Sequence, residues 1–261
     1  MSDIPHTLWQ IPVSHYSEKA RWAFAWKKVE HRRRSPLPGT HIPIALWLTR
    51  GAQYTLPVLR LDGRNVGDST AIIAALEERY PDPPLYPSDL ALRRRALELE
   101  DYFDEELGPA IRQLVWYELG NDRDSFASVV KHTEASPFAR ISAGAVAYGR
   151  LFTGLRFKAR DAELAERSRA KVLAALDRLD RELEASGGEY LVGDAFSVAD
   201  LTAASLFYPL VAPEGAPLPA DQPMPEPFER FRAPLRERRG FKWVADMFRR
   251  HRKPARTAAT A

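Results

Sequence analysis

The 261-residue chain contains no cysteine, and this absence excludes several kinds of chemistry at once. Without thiols the protein has no disulfides, no thiolate metal site and no cysteine nucleophile of its own. It also lacks any apolar run near the roughly 20 residues that a membrane-spanning helix needs. Residues 1–5 lack the basic start and the apolar segment of a signal peptide. We therefore expect a cytoplasmic protein with no metal site and no membrane partner.

The composition is that of a soluble globular protein, with 45% hydrophobic and 28% charged residues. The length suits one large or two ordinary domains. The net charge of +3 is unevenly distributed, because residues 222–261 hold 11 Lys and Arg against 4 Asp and Glu, and the rest of the chain is net acidic. Base-reading motifs and aromatic stacking platforms are absent, so we do not expect a nucleic-acid partner.

The first 80 residues alternate between strand and helix patterns. Helical residues 17–28 carry two apolar stripes, one of them with Trp22 and Trp26, which indicates burial on two sides. Asp62-Gly63 lies between apolar runs and predicts a hairpin. The predicted strands cover residues 7–11, 29–34, 55–61 and 64–66, and the predicted helices cover residues 17–28, 44–50 and 68–80. This β-α-β-α-β-β-α order is typical of a thioredoxin-like domain.

The most informative stretch is an apolar strand that contains Pro57. A proline cannot donate to a sheet ladder, so it normally marks an edge strand or a bulge. A cis Leu56–Pro57 bond would instead turn backbone groups sideways, at a cost of about 0.5–1 kcal/mol. Ten residues later, Asp68 and Ser69 open a helix whose free N–H groups form an anion site, although simple N-capping is the alternative interpretation. Together these features predict a small-molecule pocket.

Beyond a proline-rich segment the strand patterns end and helical patterns take over. Seven prolines from Pro209 to Pro227 predict a long loop, and the Ala/Thr-rich end is predicted to fray. Helical patterns cover residues 88–119, 125–157, 172–183 and 241–252, with a capping box at 197–200. We predict an α/β thioredoxin-like N-terminal domain (residues 1–80), a linker (81–88) and an all-α C-terminal helical domain (89–261).

This organisation resembles the cytosolic glutathione transferases over residues 7–252. The most specific elements are Ser14-His-Tyr-Ser-Glu-Lys-Ala-Arg21, Leu56-Pro57, Asp68-Ser69 and Phe196-Ser-Val-Ala-Asp200. Each is weak alone, but their order and spacing together are specific. The resemblance implies glutathione as co-substrate, a small hydrophobic electrophile as second substrate, and a homodimer.

The resemblance also implies roles for four residues at the glutathione site. In the family, the residue before the cis-proline binds the cysteinyl part of glutathione through its backbone, which assigns this role to Leu56 beside Pro57. An acidic-Ser pair holds the γ-glutamyl end, so Asp68 would meet its ammonium and Ser69 its carboxylate. A carboxylate at a helix N-terminus is favoured by the helix dipole and by direct N–H bonds.

Catalysis in this family requires a donor at the glutathione sulfur, because the thiolate is the nucleophile and a free thiol is mostly protonated at neutral pH. Ser14, Tyr16 and Ser17 all lie in the appropriate turn. Ser14 is the first choice by alignment with the family motif, although His15 replaces the usual proline. Ser17 could cap the helix or point at the sulfur, Tyr16 fits less well, and all three could merely cap and pack.

Two further expectations concern the second substrate and the activity itself. The electrophile pocket should lie between the domains, near Tyr102, Trp116 and Tyr117, with the proline-rich loop as a cover. An alternative function is a non-catalytic transferase-like module for partner binding or ligand carriage. The unusual Ser-His-Tyr-Ser turn and the basic C-terminal segment leave room for that alternative.

Overall fold

The computed structural model describes residues 6–37, 39–131 and 143–254. Its first part contains a four-stranded sheet in the order β2-β1-β3-β4. β1 pairs in parallel with β2, and the other two neighbouring pairs are antiparallel. The strands are β1 (Thr7–Trp9), β2 (Arg32–Arg34), β3 (Val58–Leu61) and β4 (Arg64–Gly67). The three arginines of β2 therefore lie on an edge strand, where charge opposes unwanted pairing.

Three helices accompany the sheet and complete the predicted β-α-β-α-β-β-α order: α1 (His15–Trp26), α2 (His41–Leu48) and α3 (Ser69–Arg79). This confirms the thioredoxin-like fold. α1 begins two residues earlier than predicted because Ser14, not Ser17, is its N-cap. α2 also begins earlier, since Pro43 lies in its first turn, where a missing N–H costs no hydrogen bond.

The hairpin forms as predicted, with positive φ angles at Asp62 (46°) and Gly63 (81°), the backbone of a primed two-residue turn. β3 begins at Val58, directly after Pro57, so the proline lies outside the paired strand. The Leu56–Pro57 peptide is cis.

The second part is helical, which confirms the predicted fold class. The long helical stretch predicted at 88–119 is interrupted by a π-helical turn, Phe103–Leu107. The described helices that follow segment 81–88 are α4 (Leu90–Tyr102), α5 (Gly108–Asn121), α6 (Arg123–Lys131), α7 (Ala143–Arg156), α8 (Ala162–Ala185), α9 (Val198–Val211), α10 (Glu226–Arg232) and α11 (Arg239–His251), with a short 3-10 helix at Ala233–Glu237. None of the described helices is long and apolar enough to cross a bilayer.

The proline-rich loop is shorter than predicted. α9 continues through Pro209 to Val211, and α10 begins at Glu226, so the loop covers residues 212–225. Every residue of α9 except Pro209 is buried, and this packing outweighs the preference of proline for a loop. Part of the helical stretch predicted at 125–157, and the Ala/Thr-rich C-terminal end, lie outside the described residues.

α1 is buried between the sheet and the helical part, as its two apolar stripes predict. On the helical side, the Trp22 ring is fully buried against Phe196 and Phe248, with centroid distances of 5.8 and 4.6 Å. The buried ammonium of Lys19 lies 2.8 Å from the Glu100 carboxylate and 2.5 Å from that of Asp104. α1 therefore joins the two parts through both apolar packing and buried ion pairs.

Two arginines of the basic C-terminal segment form ion pairs within the fold. Arg238 pairs with Asp177 and Asp180 of α8. Arg252 reaches back to the buried Glu18 of α1. These two residues therefore fasten both ends of α11 to the rest of the fold, whereas six other basic residues of the segment are exposed: Arg230, Arg236, Arg239, Lys242, Arg249 and Lys253.

Candidate functional site

The predicted site positions meet at one end of the sheet, where β1 and β4 finish and β3 begins. We call this end the sheet edge. Trp9, the last residue of β1, is the register partner of Val58, which in turn is paired with Gly67. The segment after β1, the cis-proline segment before β3 and the start of α3 after β4 therefore converge. This register brings together the segments that carry Ser14, Leu56 and the Asp68-Ser69 pair.

Leu56 presents unused backbone groups at this edge. The Gln53 side chain donates to the carbonyls of Thr55 (2.8 Å) and Pro57 (3.2 Å) on either side of it. Gln53 passes so close to Gly67 that a β-carbon there would lie 2.4 Å from its Oε1. Within the described ranges, the amide and the carbonyl of Leu56 have no hydrogen-bond partner, although the residue is only 5% exposed. Buried backbone groups are nearly always paired, so this pair is available to a ligand.

Asp68 caps α3 and still has binding capacity. Its Oδ1 accepts from the amides of Thr70 (2.9 Å) and Ala71 (3.2 Å). Its φ of 69° is uncommon for a residue other than glycine. The neighbouring Ser69 is buried, and neither its amide nor its hydroxyl has a partner in the part of the chain that the structure describes. Capping therefore uses one carboxylate oxygen of Asp68 and leaves Ser69 unused.

The three hydroxyls of the first turn have different partners. Ser17 is fully buried, and its Oγ accepts from the Ile11 amide at 3.1 Å. The Tyr16 hydroxyl donates to the Asp104 carbonyl at 2.8 Å, and burial raises its pKa. Ser14 Oγ accepts from the Ser17 amide at 3.3 Å, but its own proton has no acceptor among the described residues. The Ser17 proton also has no acceptor among the described residues, but Ser17 is fully buried, so of the three only Ser14 offers a free donor that a ligand can reach.

A cavity of about 480 Å³ adjoins this edge and lies between the two parts of the molecule. Ser14 and Leu56 line it, whereas Ser17, Pro57, Asp68 and Ser69 do not. Its far wall is largely apolar and includes Ile111, Val115, Trp116, Phe126, Val129 and Phe152.

The far wall differs in part from the sequence-based expectation. Trp116 lines the cavity as predicted, and Leu218 of the proline-rich loop also contributes. Tyr102 and Tyr117 do not line it. The Tyr102 ring instead packs against Phe103, at a centroid distance of 5.3 Å.

Sequence reasoning missed the charged groups of the cavity. Arg112 of α5 and Arg156 of α7 line it, and no Asp or Glu is among the described residues that do so. The guanidinium of Arg112 lies 5.1 Å from the Phe157 ring centroid and that of Arg156 lies 5.2 Å from it. Burial, opposed in part by Tyr16 and reinforced by Arg156, lowers the pKa of Arg112. A lone arginine in a helical pattern normally indicates a solvated face, so the sequence held no signal for these two.

Two histidines also line the cavity, and burial lowers the pKa of each. Burial lowers the pKa of His15 to about 3, with a further contribution from Arg112. Burial and Arg156 lower the pKa of His41 in the same way. The cavity therefore combines two imidazoles of lowered pKa, two guanidinium cations and an apolar wall.

Comparison with known proteins identifies the family. Residues 8–84 match the model of the glutathione S-transferase N-terminal domain, and residues 128–231 match that of the C-terminal domain. Among curated protein sequences, none matches this chain.

Solved structures share the fold at low identity. Glutathione transferase GSTFuA3 from Phanerochaete chrysosporium is 22% identical with a TM-score of 0.64, over 93% of this chain and 95% of that one. A glutathione S-transferase from Methylobacterium radiotolerans, in complex with glutathione sulfonate, is 22% identical with a TM-score of 0.51, over 98% of both chains. Ure2p in complex with S-hexylglutathione is 15% identical with a TM-score of 0.63, over 95% of this chain and 96% of that one. With both domain models matched in order along the chain, the protein belongs to the glutathione S-transferase family.

Proposed function

We propose that this protein binds glutathione along the sheet edge and that Ser14 stabilises the glutathione thiolate for addition to an apolar electrophile in the adjoining cavity. The observation that carries the proposal is a row of unused hydrogen-bonding groups on one edge: the Leu56 backbone, the Ser69 amide and hydroxyl, and the Ser14 proton. Related structures in complex with glutathione or its analogues support the choice of ligand.

Each group matches a part of the tripeptide. The Leu56 amide and carbonyl can pair with the cysteinyl backbone as a neighbouring strand would. The N-terminus of α3 and the Ser69 hydroxyl suit the γ-glutamyl carboxylate, and the free oxygen of Asp68 suits the ammonium. This arrangement places the thiol near the start of α1, where Ser14 caps the helix.

In the proposed reaction, Ser14 donates a hydrogen bond to the sulfur, and the N-terminus of α1 favours its negative charge. Both effects lower the thiol pKa and raise the fraction of thiolate at neutral pH. At an activated double bond, the sulfur lone pair forms the new C–S bond and the π electrons move to the neighbouring carbon. That carbon takes up a proton from solvent, which balances the proton that the thiol released.

The variant Ser14→Ala tests this role directly. A hydrogen bond to a charged group contributes about 1.5–3 kcal/mol, which corresponds to roughly one to two pH units in the thiol pKa. We therefore expect the thiol pKa of bound glutathione to rise by about that much and turnover near neutral pH to fall about 10- to 100-fold. Thiolate absorbance titrations and steady-state rates measure the two effects.

Ser17→Ala provides the comparison, because it removes the neighbouring hydroxyl that braces the Ile11 amide. If turnover falls in Ser17→Ala but not in Ser14→Ala, the sulfur contact belongs to Ser17. Glutathione binding with an unperturbed thiol pKa would favour the alternative of a non-catalytic module.

We further propose that the protein forms a homodimer, as its family resemblance implies. Leu90 and Leu97, seven residues apart on one face of α4, are 76% and 38% exposed in the single chain. A second copy covering this face would bury them, and the exposed apolar area would fall accordingly. Sedimentation equilibrium of wild type and of Leu90→Lys tests this assembly. Monomeric wild type, or a dimer that Leu90→Lys does not weaken, would contradict the α4 interface.

A further inference from the structure

We infer that the cavity beside Ser14 selects ligands that combine an apolar body with an anionic group, such as a carboxylate, held by Arg112 and Arg156. The part of this inference that concerns the electrophile rests on the proposed function. The part that concerns ligand binding depends only on the residues that line the cavity.

The first observation is that these two cations have no carboxylate partner in the described part of the chain. Both are half-buried, yet neither Arg112 nor Arg156 forms an ion pair there. Arginines elsewhere in the same helical region do pair, as Arg169 does with Glu118 and Arg178 with Glu182. Because withdrawing an unpaired charge from water is unfavourable, two such groups in one cavity indicate a ligand of opposite charge.

The second observation is that both guanidinium groups lie against one aromatic ring. Each guanidinium carbon lies over the same Phe157 ring, at 5.1 Å for Arg112 and 5.2 Å for Arg156. The two carbons are therefore no more than about 10 Å apart. The planar donor fork of an arginine matches the two oxygens of a carboxylate, and the ring holds both side chains at the cavity wall.

The third observation is the character of the remaining wall. No acidic side chain among the described residues lines the cavity, so nothing in this wall repels an anion. Val115, Trp116, Phe126 and Val129 offer an apolar surface to the rest of the ligand. A volume of about 480 Å³ is within the range for small-molecule pockets.

The chemistry that follows keeps the anionic group intact. With a chloroarene acid as electrophile, the glutathione sulfur forms the new C–S bond, chloride leaves with the electron pair of the C–Cl bond, and the thiol proton goes to solvent. The carboxylate of the acid does not react. It anchors the ring so that the reacting carbon faces the edge that Ser14 and Leu56 line.

A binding experiment tests the anion site without glutathione. Calorimetry on the full chain compares 4-phenylbutanoate with its neutral counterpart 4-phenylbutanamide. We expect the acid to bind at least about tenfold more tightly than the amide. Arg112→Gln and Arg156→Gln should each lower acid affinity about tenfold and leave amide affinity unchanged, with Arg112→Lys intermediate because it keeps the charge and loses the fork.

Arg123→Gln is the matched control, since it removes the same charge from an exposed position at the start of α6 that does not line the cavity. It should change neither affinity. Equal binding of acid and amide to the wild type would overturn the inference. The same holds if Arg112→Gln and Arg156→Gln weaken free glutathione as much as the acid, because the cations would then serve the tripeptide.

A turnover experiment separates this inference from the proposed function. With glutathione present, 4-chloro-3-nitrobenzoate should be conjugated with a higher kcat/KM than 4-chloro-3-nitrobenzamide, and Arg156→Gln should remove the preference mainly through KM. Turnover of neither compound together with selective acid binding contradicts the transferase proposal and supports the anion site. Equal turnover of both together with unselective binding supports the transferase and overturns the anion site.

Discussion

The two walls of the cavity offer different kinds of groups to a ligand. The sheet-edge wall offers backbone groups and helix caps: Leu56 lines the cavity, and Ser69 lies beside it on the same edge. The opposite wall offers side chains from several helices: an apolar surface and the two cations Arg112 and Arg156. Backbone groups recognise a ligand whose own backbone is constant, whereas side chains can be exchanged without altering the fold. The comparison teaches that one wall suits an invariant co-substrate and the other a substrate that differs from protein to protein.

The largest expected effect concerns what holds the two walls together. Lys19→Met removes the cation between the buried carboxylates of Glu100 and Asp104. Leaving buried charges uncompensated should lower the free energy of unfolding by about 3–5 kcal/mol. Urea denaturation followed by circular dichroism measures the loss.

Lys171→Met is the matched control, because Lys171 pairs with Glu106 at 2.8 Å but both side chains are about half exposed. An exposed pair contributes about 0–1 kcal/mol, so this variant should unfold nearly as the wild type does. Similar losses in the two variants would show that the buried cluster does not hold the walls together.

The next effect tests whether the sheet-edge wall binds by charge or merely caps a helix. Asp68→Asn keeps a good N-cap but removes the charge proposed to meet the glutathione ammonium. We expect glutathione affinity to fall about 10- to 100-fold, since a charge-assisted hydrogen bond contributes about 1.5–3 kcal/mol. The unfolding free energy should change by less than about 0.5 kcal/mol. Calorimetric titration with glutathione measures the affinity.

Asp89→Asn provides the control within the same molecule. Asp89 caps α4 with the same pattern of hydrogen bonds, because its carboxylate accepts from the amides two and three residues later, those of Ala91 and Leu92, at 2.9 Å each. It should change neither affinity nor stability. If Asp68→Asn leaves the glutathione affinity unchanged, Asp68 caps α3 and does not bind the glutathione ammonium.

The sheet-edge wall could be predicted from the sequence because local residue types set its geometry. Pro57, the Asp62-Gly63 turn and the Asp68 cap each specify the backbone within a few residues. The choice between Ser14 and Ser17 was not local, since both hydroxyls suit a helix start. It depends on the tertiary packing, because Ser17 is fully buried whereas Ser14 lines the cavity.

The helical wall could not be predicted in the same way. Arg112 and Arg156 belong to α5 and α7, and their meeting over Phe157 depends on how these helices pack. Helical periodicity reveals which residues lie on one face but not which faces of distant helices enclose a cavity. Tyr102 illustrates this, because its aromatic ring suggested a substrate wall but packs beside Phe103.

A smaller effect concerns acid stability on the sheet side. His31 is buried there, with its ring centroid 4.0 Å from that of Phe24, and burial lowers its pKa to about 4 from the ordinary 6.5. Between these values the unfolded chain binds a proton that the folded chain does not, so stability falls as the pH drops from about 6.5 towards 4. This one group accounts for about 2 kcal/mol of lost stability between pH 7 and pH 5.

The variant His31→Gln should lose less unfolding free energy between pH 7 and pH 5 than the wild type does. The expected difference is about 2 kcal/mol. Urea denaturation at the two pH values gives both changes. Identical pH dependence in the two proteins would mean that the imidazole already binds its proton in the folded state.

The smallest expected effect compares how two cations, Lys19 and Arg112, contribute to the free energy of unfolding. Lys19 has two carboxylates, whereas the partners of Arg112 among the described residues are the faces of Tyr16 and Phe157, at 5.7 and 5.1 Å. Arg112→Met gives up these cation–π contacts but also removes the desolvation cost of the charge, and the methionine can pack against the same rings. The unfolding free energy should therefore stay equal or rise by up to about 1 kcal/mol while affinity for the acid falls. A loss of several kcal/mol, as for Lys19→Met, would mean that folding itself supplies the partner of Arg112, and the contrast between a structural cation and a ligand-binding one would disappear.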